Sequence, residues 1–271
     1  MSRDAHILSL GAGVQSSTLA LMAAMGETDT MPVAAVFADT QGEPTSVYTW
    51  LRWLDWKLPF VVVQATHGNL AADSIRLRTS RKSGNTYLSP SLPVFTISNG
   101  KKGMMQRQCT RDYKISVVRR ASREIMDALG ADRCIQWIGI STDEAHRMKP
   151  SGDPRFENVW PLIDKGMSRD DCLRWMEAKG FPRPPRSACV FCPYHSDAEW
   201  LRLKTEEPKA FAAAVEYEKQ LTAAVHASTA LEADAVFLHA SRIPLDRVIF
   251  VEKEIVAASQ FGNECEGMCG V

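Results

Sequence analysis

Short apolar runs alternate with helix-spaced ones through the first half of this chain. His6-Ile7-Leu8-Ser9-Leu10 reads as a buried strand and Gly11 to Gln15 as a turn. Ser16 to Met25 reads as a helix with hydroxyl residues at its N-terminal cap. Pro32 to Phe37 is a second predicted strand. Pro44 then opens a helix whose apolar face is Val47, Trp50, Leu51 and Leu54. Phe60 to Val63 and Cys134 to Ile140 complete the predicted strands. Trp50, Trp53 and Trp56 recur every third residue, which packing explains more simply than a base-stacking platform.

Strands and helices at this spacing predict an α/β fold: a parallel twisted sheet with helices on both faces. Ligands in such sheets bind at the carboxyl ends of the strands. The loops at 11–15, 39–43 and 141–147 are therefore expected to share one rim. The pattern breaks over 77–108, where Ser, Gly, Asn, Pro and Lys give little periodicity and predict a long loop or lid. A helix resumes near Tyr113, with Ile115, Val118, Ile125 and Leu129 at helical spacing. The second half is mainly helical, over 168–179 and from 197 to about 226, with a break near Pro208. The expected organisation is a nucleotide-binding α/β domain over 1–165, carrying a basic loop near 76–112. A helical, cysteine-bearing region over 166–271 follows, with a Gly- and Cys-rich tail at 261–271.

The chain has 271 residues, 45% of them hydrophobic and 24% charged, which excludes a disordered or fibrous protein. Its formal net charge of zero selects no partner, but the distribution is uneven. Twelve Lys or Arg and one acid, Asp112, fall between Arg76 and Arg123. Such a segment attracts a polyanion, or else forms a solvated basic face offset by acids elsewhere. No apolar run is long enough for a membrane span, and no signal-peptide layout opens the chain, so the expected compartment is cytoplasmic. In that reducing setting, seven cysteines point to metal or catalytic roles rather than to a disulfide framework.

A strand, a glycine turn and a serine-bearing helix start together make an anion site. Backbone N–H groups approach an oxyanion there, and the helix start adds partial positive charge. Here the segment is Ser9-Leu10-Gly11-Ala12-Gly13-Val14-Gln15-Ser16-Ser17, which lacks the lysine of a Walker A loop. Cys189-Val190-Phe191-Cys192 has the spacing of metal knuckles and clusters. Cys134 and Cys172 fall on core positions of a strand and a helix. Arg111 and Lys114, three residues apart beside Cys109, either point together at phosphate or sulfate or lie on a solvated face. His195 sits just after the C-x-x-C, where a lone histidine more often supports a metal site than ligates it.

The turn resembles the pyrophosphate-binding (PP) loop of the adenine-nucleotide α-hydrolase superfamily, particularly its phosphoadenylylsulfate (PAPS) reductase-like branch. Phe37-Ala38-Asp39-Thr40-Gln41-Gly42-Glu43 resembles that family's segment after the second strand. Gly139-Ile140-Ser141-Thr142-Asp143-Glu144 with Arg147 resembles its late nucleotide-side loop, and Trp160 to Asp164 is another shared stretch. The similarity spans roughly residues 5–205. It implies that Ser9, Gly11, Gly13, Gln15, Ser16 and Ser17 cradle phosphate or sulfate, with Asp39, Gly139 and Arg147 also on the nucleotide. Gln15 stands where pyrophosphatases of the superfamily carry an acid, so an acid from elsewhere is needed to position Mg²⁺ on ATP.

The segment around Cys109 resembles the family's Cys-Cys…Lys stretch, which with a later C-x-x-C binds a [4Fe–4S] cluster. Gln108 replaces the first cysteine, leaving Cys109, Cys189 and Cys192. The fourth ligand is then Cys265 or Cys269 of the tail, or the fourth iron stays open; zinc on the same thiolates is the rival. Glu264-Cys265 also resembles the tail whose mobile cysteine attacks sulfur in sulfonucleotide reductases, making Cys265 a candidate nucleophile with Arg111 and Lys114. The resemblance implies an enzyme that binds ATP or an adenylyl nucleotide for sulfur transfer, with a nucleic acid or nucleotide as acceptor and a separate sulfur donor. The alternatives are a reductase of adenylylsulfate or phosphoadenylylsulfate using thioredoxin, and a non-catalytic nucleotide-binding module with zinc or a cluster. No membrane partner is expected, and a homo-oligomer is left open.

Overall fold

The computed structural model describes residues 3–88, 90–229 and 233–250. Five parallel strands form the central sheet in the order β3-β2-β1-β8-β9: β1 (Asp4–Ser9), β2 (Ala34–Asp39), β3 (Val61–Thr66), β8 (Arg133–Ile138) and β9 (Phe156–Val159). Successive β1 residues serve opposite faces, as the period of two requires. Leu8 packs with Leu10, Phe37 and Trp137 beneath α1 (Val14–Ala24), α2 (Thr45–Lys57) and α6 (Arg169–Ala178). Ile7 packs with Val36 and Ile138 beneath α4 (Ser116–Leu129). Burial on both faces explains why β1, β2 and β8 read as continuous apolar runs. The predicted apolar face of α2 is buried at Val47, Trp50, Leu51 and Leu54.

Three expectations differ from the structure. Helix α1 begins at Val14, and Gly13 caps it without a side-chain hydrogen bond. The predicted loop over 77–108 contains two hairpins, β4 (Arg78–Thr79) with β5 (Thr86–Tyr87), and β6 (Phe95–Ser98) with β7 (Lys101–Met104). Strands of two to four residues are too short to show a period. β6 also pairs with β10 (Ala235–Phe237), a contact no local pattern announces. Leu129, placed on the apolar face of α4, is exposed because Gly130 ends the helix there in the left-handed conformation.

The remaining helices are α3 (Leu70–Ser74), α5 (Pro161–Asp164), α7 (Asp197–Glu206) and α8 (Pro208–Ala227), with Pro208 opening α8 where the sequence places the break. A third core, separate from the two sheet faces, gathers α7, α8, the hairpin segment and the cysteine loop around Leu92, Tyr113, Phe191, Trp200 and Tyr217. Among the described residues, no helix is long and apolar enough to cross a membrane.

Candidate functional site

β1 leads into the glycine turn at the carboxyl edge of the sheet. Ala12 takes the left-handed conformation there (φ 59°), and Ser16 Oγ accepts a hydrogen bond from the Gly11 N–H at 3.1 Å. Gly139, at the end of β8, lies against the start of α1. A Cβ on it would stand 2.8 Å from the Ser16 backbone nitrogen, so only glycine lets the two segments approach this closely. Ser9, Gly11, Ser16, Gly139 and Arg147 line one small cavity. Ser9 Oγ is buried there without a hydrogen-bond partner, a cost that a bound anion would relieve. Ser17 turns the other way: it is fully buried, and its Oγ accepts from Trp50 Nε1 at 2.9 Å.

Gln15 is buried and held on both sides. Its carbonyl oxygen accepts from Arg169 Nη1 at 2.9 Å, and its amide nitrogen donates to Glu144 Oε2 at 3.1 Å and to Ser141 Oγ at 3.3 Å. Glu144 in turn pairs with Arg147. A carboxylate therefore stands beside the turn, presented by the loop after β8. Asp39, at the end of β2, accepts from Gln41 N–H at 2.7 Å and from Tyr48 Oη at 2.8 Å.

Cys109, Cys189 and Cys192 line one cavity together with Lys114, Arg107 and Tyr194. Its volume of about 20 Å³ is room for about one water, so a larger guest requires these walls to stand off. The C-x-x-C is pinned to the loop after β2 by the Val190 N–H, which donates to Gly42 O at 2.7 Å. A Cβ on Gly42 would fall 2.6 Å from the Phe191 ring. Thr40 Oγ1 lies 3.1 Å from Cys189 Sγ. Burial pushes the Cys189 thiol well above its usual range, Glu43 adds to the effect and Lys114 opposes it. A thiolate there calls for a positive partner. Among the described residues no group of three or more His, Cys, Asp or Glu is placed to hold a metal ion. One tetrahedral zinc draws its sulfurs to about 2.3 Å from a common centre, whereas a cluster takes each thiolate on a separate iron. Three cysteines lining one small cavity are a donor set of the chemistry that both zinc and an iron–sulfur cluster use.

Arg111 and Lys114 do not point together. Residues Thr110–Ile115 form a π-helical turn, whose wider winding takes residues three apart off a common face. Arg111 is exposed and paired with Asp112, while Lys114 is buried 4.0 Å from Glu43 Oε1. Cys134 and Cys172 are both fully buried, and burial raises the Cys134 thiol to about 12. His195 is buried against Trp200, with Nε2 2.9 Å from the Cys189 carbonyl oxygen. Burial, with Arg186 second, holds it neutral down to about pH 3. Cys265 and Cys269 lie outside the described residues.

Sequence reasoning passed over Thr40, Glu43, Ser187, Glu144 and Arg169. Thr40, Glu43 and Glu144 lie inside the stretches that carry the family resemblance, so their proximity to the motif was a usable signal. Ser187 and Arg169 carry no such mark. Also unforeseen is a cleft of about 1050 Å³ that runs from Val14 and Arg169 between α2, the 182–186 segment and α7.

No protein-family model matches the chain, and no curated protein matches it in sequence. Among solved structures, it is similar to the phosphate complex of phosphoadenylyl-sulfate (PAPS) reductase from Candida auris. The two share 11% identity over 68% of this chain and 76% of that one, with a TM-score of 0.39.

Proposed function

We propose that the protein is a sulfur-chemistry enzyme of the PAPS reductase-like kind, binding ATP or an adenylyl nucleotide at the glycine turn and an iron–sulfur cluster on Cys109, Cys189 and Cys192. The observation that carries this reading is the meeting of three thiols from two distant stretches in one buried space, on the same sheet edge as an anion-ready turn. Bound there, the cluster would supply reduced sulfur chemistry; a fourth ligand would come from the tail or be absent. Ser9 and Ser16 hydroxyls and the turn's backbone N–H groups hold the phosphates. As an acceptor oxygen attacks the α-phosphorus and pyrophosphate leaves, these fixed donors stabilise the charge that develops. Glu144 is the acid the turn lacks. It would hold Mg²⁺ together with the nucleotide's own phosphates, since Mg²⁺ takes few protein carboxylates at such sites. A sulfur nucleophile then displaces AMP from the activated acceptor, which the reading takes to be a nucleic acid or nucleotide.

Anaerobic purification followed by an absorption spectrum and iron, sulfide and zinc analysis tests the reading. Brown protein is expected, and Cys192→Ala should lose colour and activity together. A colourless wild type with full activity rules it out. The neutral Gln15 amide, held between Arg169 and Glu144, favours a second reading as a sulfonucleotide reductase. Sulfite released from adenylylsulfate or phosphoadenylylsulfate with thioredoxin would establish that one instead.

A further inference from the structure

The cleft beside the turn is built unlike the cysteine cavity. At about 1050 Å³ it stands at the upper end of the range, about 300–1,000 Å³, that holds a whole small ligand. One wall is apolar and stiff. Trp53 stacks on Trp50 with ring centroids 4.6 Å apart, and Trp50 is itself tethered to Ser17. Pro182, Pro184 and Pro185 face it, fixing their stretch of backbone. Both signs of charge line it. Arg169, Arg183 and Arg186 are among its lining residues, and Arg169 donates to Gln15 of the glycine turn. Glu199, Glu206 and Glu207 line it too, and Arg202 pairs with all three.

A guest of this cleft therefore carries negative charge for the arginines and a flat, apolar-faced ring for the tryptophan and proline wall. Its remaining edges tolerate, or donate hydrogen bonds to, carboxylates. We propose that the cleft seats an unpaired stretch of a nucleic-acid strand, with phosphates at Arg169, Arg183 and Arg186 and a base against the Trp53 and proline wall. A base is sequence-tolerant as a stacking partner, and its exocyclic amino groups are natural donors to a carboxylate. The cleft has room for more than one mononucleotide, which is why a strand is the better occupant. The proposal rests on the functional reading above only in taking that strand to be the acceptor. Its own basis is the cleft, which lies next to the turn without including the residues that line the anion cavity.

Fluorescence anisotropy of a labelled single-stranded oligonucleotide, titrated with the full chain at several salt concentrations, tests it. Binding should weaken steeply with salt, as phosphate contacts require. Arg183 is exposed, so Arg183→Glu should fold normally by circular dichroism yet bind about ten-fold more weakly. The strand should also quench tryptophan emission, and Trp53→Phe should remove most of that quench. Wild-type protein that binds no strand overturns the proposal, as does Arg183→Glu binding within about two-fold of wild type. Competitive displacement of the strand by ATP or by AMP also overturns it, because the cleft would then be a mononucleotide site. A fluorescent ATP analogue reads the turn separately. Strand binding without ATP binding sinks the functional reading and leaves the cleft proposal standing; ATP binding without strand binding does the reverse.

Discussion

Glu43 keeps its carboxylate where water barely reaches, with its side chain 1% exposed and Lys114 at 4%. Ser187 Oγ approaches the other carboxylate oxygen at 3.4 Å, and Cys189 Sγ lies 3.9 Å from Oε1. Lys114→Met removes a buried positive charge from beside Glu43, which typically costs about 3–5 kcal/mol. Adding Glu43→Gln to that background should recover much of the loss, because the remaining group no longer needs a countercharge. Urea unfolding of the two single variants and the double checks this; strictly additive losses would disprove the coupling. Gly139 makes a different kind of demand. The Cβ of Gly139→Ala meets backbone rather than a movable side chain, so the turn itself must shift by tenths of an ångström. The expected outcome is at least about ten-fold weaker ATP binding in calorimetry, with an unfolding midpoint that moves little, since fixed donors lose much from small displacements. Neither effect can be read from composition. Lys114 sits on the buried side only because the chain winds as a π turn, and that winding leaves no mark in residue spacing.

At the level of elements, α8 is fastened to the segment that follows it by one buried carboxylate. Glu218 accepts from the Leu238 N–H at 2.7 Å and the Leu245 N–H at 2.8 Å. Burial pushes its pKa up, and these two backbone donors only partly oppose the shift. The folded protein thus holds this proton to higher pH than the unfolded chain, whose carboxyl titrates near about 4.3. Stability must therefore fall as pH rises from there through the raised value. Glu218→Gln keeps one acceptor and loses the other, so it should cost about 1–3 kcal/mol at pH 4. The gap should narrow as pH rises, because only the wild type pays for ionisation. Parallel stability curves for the two proteins across that range would refute the assignment. The same scale shows what the sequence could and could not disclose. β1, β2 and β8 are buried on both faces and read directly as apolar runs. β9, Phe-Glu-Asn-Val, is a sheet-edge strand whose two central polar residues are adjacent, so it shows no apolar–polar alternation and passes for a loop. The β6–β7 hairpin is held by β10 from far along the chain, and the cysteine loop is held by Gly42, so neither could be found by local pattern alone.

Across the whole molecule the three cores divide the work. Two cover the faces of the sheet and hold Cys172 and Cys134 as packing residues. The third contains Cys109 and Cys189, with Cys192 packed against it, and joins them to Tyr113, Phe191, Trp200 and Tyr217. A glycine turn could be anticipated because strand, turn and helix are contiguous in sequence. The thiols could not be brought together by spacing, since some eighty intervening positions fold through three α-helices and two strands before the chain returns. If a cluster binds the thiols, its ligation free energy is concentrated in the third core, which is then the part that loses stability when the metal is removed. Removing iron with a chelator under anaerobic conditions should lower the thermal midpoint. It should also raise amide exchange over 107–114 and 187–195, while β1, β2 and β8 remain protected. Zinc added back should restore little of the lost protection if the site needs thiolates on separate metal corners. Full restoration by zinc would instead mean that the cysteine side chains close around a single ion. An unchanged exchange pattern after metal removal would mean that the third core stands by packing alone, and that its cysteines are there for shape.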